Sequence, residues 1–230
     1  MILLNPSYEI LTPLDGGEIL RKIEAIGRVC YKSEDRITPE SAGTFVQMLL
    51  NNQHLSVLEH FSFSVRFIID RGVSHELVRH RLASFSQEST RYCNYGLDKF
   101  GNQVSFIIPF CLQDLLNPGH YPITWYGDTP MFSEVKVGPI REQTVIWLQA
   151  MAYAERAYLD LLDRGYTPQS ARAVLPNSLK TEIVVTANLR EWILILTQRT
   201  SKKAHPDMVN VMYPLLKDLQ SQVPIIFDDI

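Results

Sequence analysis

Phe61-Ser62-Phe63-Ser64-Val65-Arg66-Phe67-Ile68-Ile69 sets large apolar residues at alternate positions, with Ser62, Ser64 and Arg66 between them. Strand side chains point to opposite faces with period two, so this is the clearest strand in the chain. Helical patterns precede and follow it. A first helix is predicted from Gly17 to Tyr31, with Ile19, Leu20, Ile23, Ile26 and Cys30 on one stripe. A second is predicted from Thr38, where Thr38-Pro39 reads as an N-cap and first-turn pair. After the strand, Ser74 caps a short helix through Leu77, Val78 and Leu82.

Further on, Val104 to Pro109 reads as a strand. Leu112 to Pro139, rich in proline and glycine, reads as an irregular excursion. A long helix is predicted from Ile140 to about Asp163, stopped at Gly165. Thr167-Pro168 opens a helical turn containing Arg172. Leu179, Thr181, Ile183 and Val185 alternate as a strand, and Asn188 caps a helix reaching Arg199. Strands and helices interleave without a regular βαβ period. The expectation is an α+β (mixed α/β), non-Rossmann class: a single domain over residues 1–230, with a central sheet flanked by helices.

The chain has 230 residues, 46% hydrophobic and 20% charged, and a net charge of −3. Proteins that coat nucleic acid carry a basic surplus, so the acidic balance argues against that class. Cys30, Cys93 and Cys111 are odd in number and lack CxxC spacing, which indicates neither a disulfide framework nor a zinc site. The amino terminus does not read as a signal peptide, and no run of about 18 apolar residues occurs. The expectation is a cytoplasmic protein with no membrane partner.

Arg79-His80-Arg81, followed by Ser84, Ser86, Gln87, Ser89, Thr90 and Arg91, concentrates guanidinium, hydroxyl and amide donors in one short segment. On a helix, Arg79 and Arg81 would point about 200° apart and could not serve one small anion side by side. Alone, the triplet reads as a basic face making surface ion pairs worth ~0–1 kcal/mol each. The loop that follows changes this. A phosphomonoester carries nearly two charges and three acceptor oxygens, and Ser89 and Arg91 with intervening backbone N–H groups suit it. Arg172 and Arg199 form a second pair. Arg199 shares a face with Trp192, Ile195 and Leu196, and an arginine on a core-facing stripe must be paired, with a carboxylate or with a ligand.

Other patterns carry less. His54-Leu-Ser56-Val-Leu-Glu59-His60 lacks a third clear metal ligand. His75 and His80 are five apart, which turns the second off the face a zinc-protease helix needs. There is no GxGxxG, P-loop or Gly-x-Ser-x-Gly elbow.

Arg79-His80-Arg81, seven residues, then Ser89 resembles the diagnostic motif of the flavin-dependent thymidylate synthases. His54–His60 is similar to the family's His-x-Ser/Thr-x-x-Glu-His segment, Ala171-Arg172-x-Val-Leu-Pro176 to its Ala-Arg-x-x-Leu-Pro element, and Asn188-x-Arg190-Glu-Trp192 with Arg199 to its carboxy-terminal helix. The resemblance spans residues 18 to 210 or so.

It implies reductive methylation of deoxyuridylate (dUMP) to thymidylate (dTMP), with methylenetetrahydrofolate as carbon donor, FAD as cofactor and NADPH as reductant. By that similarity Ser89, Arg91 and Arg172 hold the phosphate, with Thr90 contributing backbone, and Glu76, Arg79 and Gln87 line the nucleotide. Ser56, Arg79, His80, Arg81, Asn188 and Arg190 contact FAD, with His54 and Glu59 flanking the flavin. Arg199 sits against the pyrimidine edge as a fixed positive charge. The family is a homotetramer with sites shared between subunits.

Three positions depart from the family's pattern: Glu76 where Gln is commoner, Gln87 in place of Glu, and Leu194 at a spot often held by His or Asn. Cys93 reads as a bystander. Two other readings stay open on the residues: a flavoprotein acting on another pyrimidine nucleotide, or a non-enzymatic nucleic-acid-binding module using the basic segment.

Overall fold

The computed structural model describes residues 1–132 and 142–230. The chain packs as two compact units, each assembled from separated stretches. One comprises Met1–Ser7, Ile68–Glu76 and Gln87–Ile183; the other comprises Tyr8–Phe67, Leu77–Ser86 and Val184–Ile230.

In chain order the elements are β1 (Ile2–Leu4), β2 (Ser7–Ile10), α1 (Gly16–Tyr31), α2 (Ser41–Asn51), β3 (Ser62–Asp70), α3 (Arg71–Leu77), β4 (Ser84–Gln87) and β5 (Ser105–Ile107). There follow β6 (Gly119–His120), β7 (Ile123–Tyr126), β8 (Thr129–Phe132), α4 (Glu142–Asp163), α5 (Pro168–Ala171), β9 (Lys180–Asn188), α6 (Leu189–Arg199) and α7 (Pro206–Gln222). The class is α+β, as the interleaved pattern predicts. One sheet has the order β2-β3-β9-β4 and another β5-β1-β6. In the latter β1 is parallel to β5, with Ile2 opposite Ser105, and antiparallel to β6.

The period-two reading decides the long strands. Phe63, Val65, Phe67 and Ile69 of β3 are buried, as are Thr181, Ile183, Val185 and Ala187 of β9. In the first unit Leu3, Val104 and Phe106 pack with Leu148, Met151 and Tyr158 from α4. In the second unit α6 contacts α7 and the 3-10 turn Leu55–His60, which in turn contacts α1. Among the described residues no helix is long and apolar enough to cross a membrane.

Several local expectations are corrected by tertiary packing. Cys30 is exposed, and Glu24 and Gly27 take buried places on α1 instead. α2 starts at Ser41 and not Thr38, because the Ser41 hydroxyl donates to the buried Glu24 carboxylate at 2.9 Å. α3 is not capped by Ser74: Asp70 Oδ1 accepts from the Val73 amide at 2.8 Å, and Ser74 lies inside the helix, donating to the Arg71 carbonyl. α3 also ends at Leu77, so Arg79–Arg81 lie in turns and not on a helix. The divergence of Arg79 and Arg81 drawn from helical geometry therefore does not apply.

The excursion after Leu112 is partly regular. β7 and β8 form an antiparallel hairpin, with Tyr126 opposite Thr129. Gly127, at φ 60°, supplies the positive dihedral that a two-residue hairpin turn needs. Residues 133–139 of that stretch, and the expected helix start at 140–141, lie outside the described residues. α7 has no counterpart among the predicted elements. Pro214 stands in its interior, where proline removes a backbone donor, and the buried stripe of Met208, Val211, Met212, Leu215 and Leu219 holds the helix together.

Gly27 sets the approach of α1 to α2. A Cβ there would stand 2.7 Å from the Phe45 ring edge. Gly27→Ala should cost about 1–3 kcal/mol by overpacking, only partly offset by the better helix propensity of alanine. A thermal scan should show a fall of several degrees; an unchanged midpoint would mean the Phe45 ring gives way freely.

Candidate active site

In the first unit Gln87, the last residue of β4, leads into the Ser89–Tyr92 turn, which is pinned at its base by Glu88. The Glu88 amide donates to the Glu182 carbonyl at 2.8 Å, and its carboxylate accepts from Lys180 Nζ at 3.0 Å and from the Tyr95 hydroxyl at 2.7 Å. Burial alone would lower the pKa of Lys180, yet its hydrogen bonds to Glu182 and Glu88 raise it. Burial and the Glu88 charge push the Cys93 thiol up, so Cys93 is no thiolate nucleophile.

On this base the anion donors gather. Arg172, 82 positions away in sequence, donates from Nη1 to Thr90 Oγ1 at 3.0 Å. Arg91 donates from Nε to Gln169 Oε1 at 2.9 Å, and its backbone N–H reaches Ser89 Oγ at 3.3 Å. The turn opened by Thr167-Pro168 therefore delivers Gln169 and Arg172 together. Both guanidiniums are exposed, and neither is ion-paired with a carboxylate among the described residues. Gln87 donates from Nε2 to Ser74 Oγ at 2.9 Å and to Thr181 Oγ1 at 3.2 Å, an oxygen that Arg71 also reaches. Glu76 is half-buried in the last turn of α3. One unit thus brings together Glu76, Gln87, Ser89, Thr90, Arg91 and Arg172.

The remaining predicted residues belong to the second unit. Asn188 caps α6, its side chain accepting from the Glu191 amide at 2.9 Å. Arg190 pairs with Glu59 at 2.6 Å; both are about half exposed, so the pair is worth ~0–1 kcal/mol. Glu59, Asn188 and Arg190 line a cavity of about 570 Å³ whose walls include Leu55, Leu82 and Leu194. His54 is hydrogen-bonded through Nδ1 to the Tyr31 hydroxyl at 2.9 Å, and Ser56 is exposed on the 3-10 turn. Arg79 and Arg81 are exposed, with no ionic or hydrogen-bonding partner among the described residues. A largely apolar cavity with Asn188 and Arg190 in its wall, and exposed Arg79 and Arg81 in the same unit, supply the donors that an aromatic cofactor bearing a pyrophosphate needs, so the donor set fits FAD.

His80 turns the other way. It is 6% exposed, and its Nε2 accepts from Arg199 Nε at 3.0 Å while its Nδ1 faces Glu191 Oε1 at 3.5 Å. Burial, and then the Arg199 charge, lower its pKa from 6.5 to about 4. Between those values the unfolded chain binds a proton that the folded chain refuses, so this contribution to stability is complete above about pH 6.5 and is lost as pH falls towards 4. Urea midpoints measured from pH 7.5 to 4.5 should fall less steeply for His80→Gln than for the parent. Parallel curves would remove His80 as a source of acid sensitivity.

Glu191, buried and facing His80, is a residue that the sequence reading does not single out. Three positions after the Asn188 cap, it reads as an ordinary helix-start acid. The available signal is that Glu191, Ile195 and Arg199 share one strip of α6 with the buried stripe.

Residues 17–225 match a family model described as thymidylate synthase complementing protein. Relatives named flavin-dependent thymidylate synthase include one from Mycobacterium marinum, 30% identical over 234 residues, with 99% of this chain and 85% of that one covered. Another, from Mycobacterium tuberculosis, is 31% identical with the same coverage. The fold is similar to that of the UMP/dUMP methylase PolB from Streptomyces cacaoi bound with 5-Br dUMP (TM-score 0.74, 22% identity, 99% of this chain and 96% of that one). It is also similar to thymidylate synthase X from Helicobacter pylori with FAD and dUMP (TM-score 0.68, 22% identity, 97% and 98% covered). With the Arg79–Ser89 motif, Arg172 and Arg199 all inside the matched span, the chain belongs to the flavin-dependent thymidylate synthase family.

Proposed function

We propose that this chain methylates dUMP to dTMP reductively, drawing the carbon from methylenetetrahydrofolate and the electrons from NADPH. The observation that carries the reading is the Ser89–Arg91 turn with Arg172. Two exposed guanidiniums converge there on hydroxyl and amide partners, with no carboxylate neutralising them among the described residues. Charge-assisted hydrogen bonds of about 1.5–3 kcal/mol each await a phosphate at such a site. Ser89, Arg91 and Arg172 hold the nucleotide phosphate, with Thr90 at its backbone, while Glu76, Arg79 and Gln87 line the nucleotide.

The uracil C5 is a poor carbon nucleophile unless charge is drawn into the ring. Arg199, a permanent cation, stabilises the anionic pyrimidine electrostatically. FAD, held by Ser56, Arg79, Arg81, Asn188 and Arg190 with His54 and Glu59 beside it, and with His80 buried against Arg199 instead, supplies when bound the hydride that no side chain can. Residues 1–230 act as one functional domain of a cytoplasmic homotetramer. In support, Leu82 is 79% exposed and Tyr92 78% exposed on the single chain, as residues that another subunit would cover.

Purified protein given C5-tritiated dUMP, methylenetetrahydrofolate and NADPH should release tritium. Bound flavin without tritium release overturns the reading. Ser89→Ala should weaken dUMP binding about tenfold, the worth of one charge-assisted hydrogen bond, with turnover at saturation largely kept. Normal affinity with lost chemistry would make Ser89 a participant in the reaction.

A further inference from the structure

Glu191 and Arg199 lie eight residues apart on α6, which is about 12 Å along a helix axis. They are on one strip but two turns apart. Between them, and from another stretch of the same unit, His80 inserts its imidazole: Nε2 accepts from Arg199 Nε at 3.0 Å, and Nδ1 stands 3.5 Å from Glu191 Oε1. Glu191 is 4% exposed and His80 6%, so neither is a surface accident.

The hydrogen bonding fixes the tautomer. A ring nitrogen that accepts an N–H cannot itself carry a proton, so the His80 proton sits on Nδ1. It therefore faces the carboxylate. Burying a carboxylate is costly without a partner, and burial indeed raises the pKa of Glu191. Here the Nδ1–H group of the buried imidazole faces it at 3.5 Å. A carboxylate orienting an imidazole that orients a reacting group is a recurring arrangement in catalysis and metal binding.

We propose that Glu191 is a positioning residue of this site: it holds the His80 proton on Nδ1, and so keeps the Nε2 lone pair turned to Arg199 and the guanidinium in its working orientation. The proposal rests on the reading of Arg199 given above. Glu191 touches neither substrate nor the reacting atoms in this scheme; it also lines the cavity given to FAD, so turnover is read per bound flavin. Without it the Nδ1–H has no carboxylate to face, and only the Arg199 N–H still favours that tautomer. Any N–H that then appears on Nε2 would confront the N–H of Arg199 and break the contact through which the imidazole orients the guanidinium.

The test uses the full-length protein loaded with FAD, comparing the parent with Glu191→Leu and Glu191→Gln. The leucine keeps the volume and removes the acceptor. The glutamine keeps an acceptor oxygen without the charge. Tritium release per bound flavin should fall at least thirtyfold in the leucine variant and recover in part in the glutamine variant, while dUMP affinity stays within threefold of the parent. Turnover per bound flavin within threefold of the parent in Glu191→Leu overturns the proposal, since a residue that merely stabilises α6 would lower melting temperature and flavin content alone.

A second measurement does not depend on activity. Nitrogen-15 NMR of histidine-labelled protein, with the His80 signals assigned through His80→Gln, should show the Nδ1–H tautomer in the parent and its loss in Glu191→Leu. An Nε2–H tautomer in the parent, or an unchanged tautomer in the variant, overturns the proposal. If the parent shows the Nδ1–H form, loses it in Glu191→Leu and yet releases no tritium, the proposed reaction falls and the positioning role of Glu191 stands.

Discussion

Arg199→Ala should lower dTMP formation by about 100-fold or more while flavin binding changes by less than about threefold. The magnitude is that of removing one preorganised donor to developing charge, about 10²–10³ in rate. The asymmetry follows from the surroundings of Arg199. It ends α6 on the face shared with the buried Trp192, Ile195 and Leu196, and its Nε is held by a buried imidazole. A side chain held this way presents a fixed charge at little reorganisation cost, whereas exposed Arg79 and Arg81 suit a cofactor phosphate.

Arg199→Lys should recover little, because a flexible ammonium lacks the planar fork and the Nε. Removing the guanidinium should also let the His80 pKa rise from about 4, since the Arg199 charge is one of the two causes lowering it and burial is the other. Absorbance titration of flavin, tritium release and NMR titration of His80 read the three effects separately. Equal losses in flavin binding and turnover would assign Arg199 to the cofactor instead.

Trp192→Ala should be the most destabilising single change in the second unit, at about 3–5 kcal/mol. Trp192 is fully buried and stacks on Phe63, with ring centroids 4.9 Å apart and an interplanar angle of 16°. Its Nε1–H donates to the Phe63 carbonyl at 3.2 Å. Truncation leaves a cavity, an aromatic ring without its neighbour and a carbonyl without its donor. At 2–4 °C per kcal/mol for a chain of this size, the melting midpoint should drop by roughly 10 °C.

Trp192→Phe keeps the stacking and most of the volume, and should recover more than half of that loss. Because α6 also carries Asn188, Glu191 and Arg199, flavin binding and turnover should fall with stability in the alanine variant. A midpoint within about 3 °C of the parent would show that α6 is held by α7 and the Leu55–His60 turn without Trp192.

The parts of this protein legible in its sequence are those governed by neighbours in the chain. The alternation of β3 and β9 appears as alternate burial because a pleated strand can turn only one side to the core. Asn188 caps α6 because its side chain reaches an amide three residues on. Gly165 closes α4 by adopting φ 86°. The motif Arg79–Ser89, with Arg172 and Arg199, was likewise enough to read the family, because its residue types and spacing stand in the chain itself.

Local signals failed where a distant group competed for the same residue. Ser41 was drawn to Glu24, which moved the start of α2. Ser74 accepts from Gln87, which placed it inside a helix instead of at its head. The largest miss has the same cause. The sequence by itself determined the class, the strand phases and which arginines are candidates, since each depends on periodicity, capping or spacing over a few residues. Only the tertiary structure decided that α3 stops at Leu77 and that His80 leaves the company of Arg79 and Arg81 to lie between Arg199 and Glu191. Those partners are more than a hundred residues away, and no local pattern encodes an imidazole set between two residues of a distant helix.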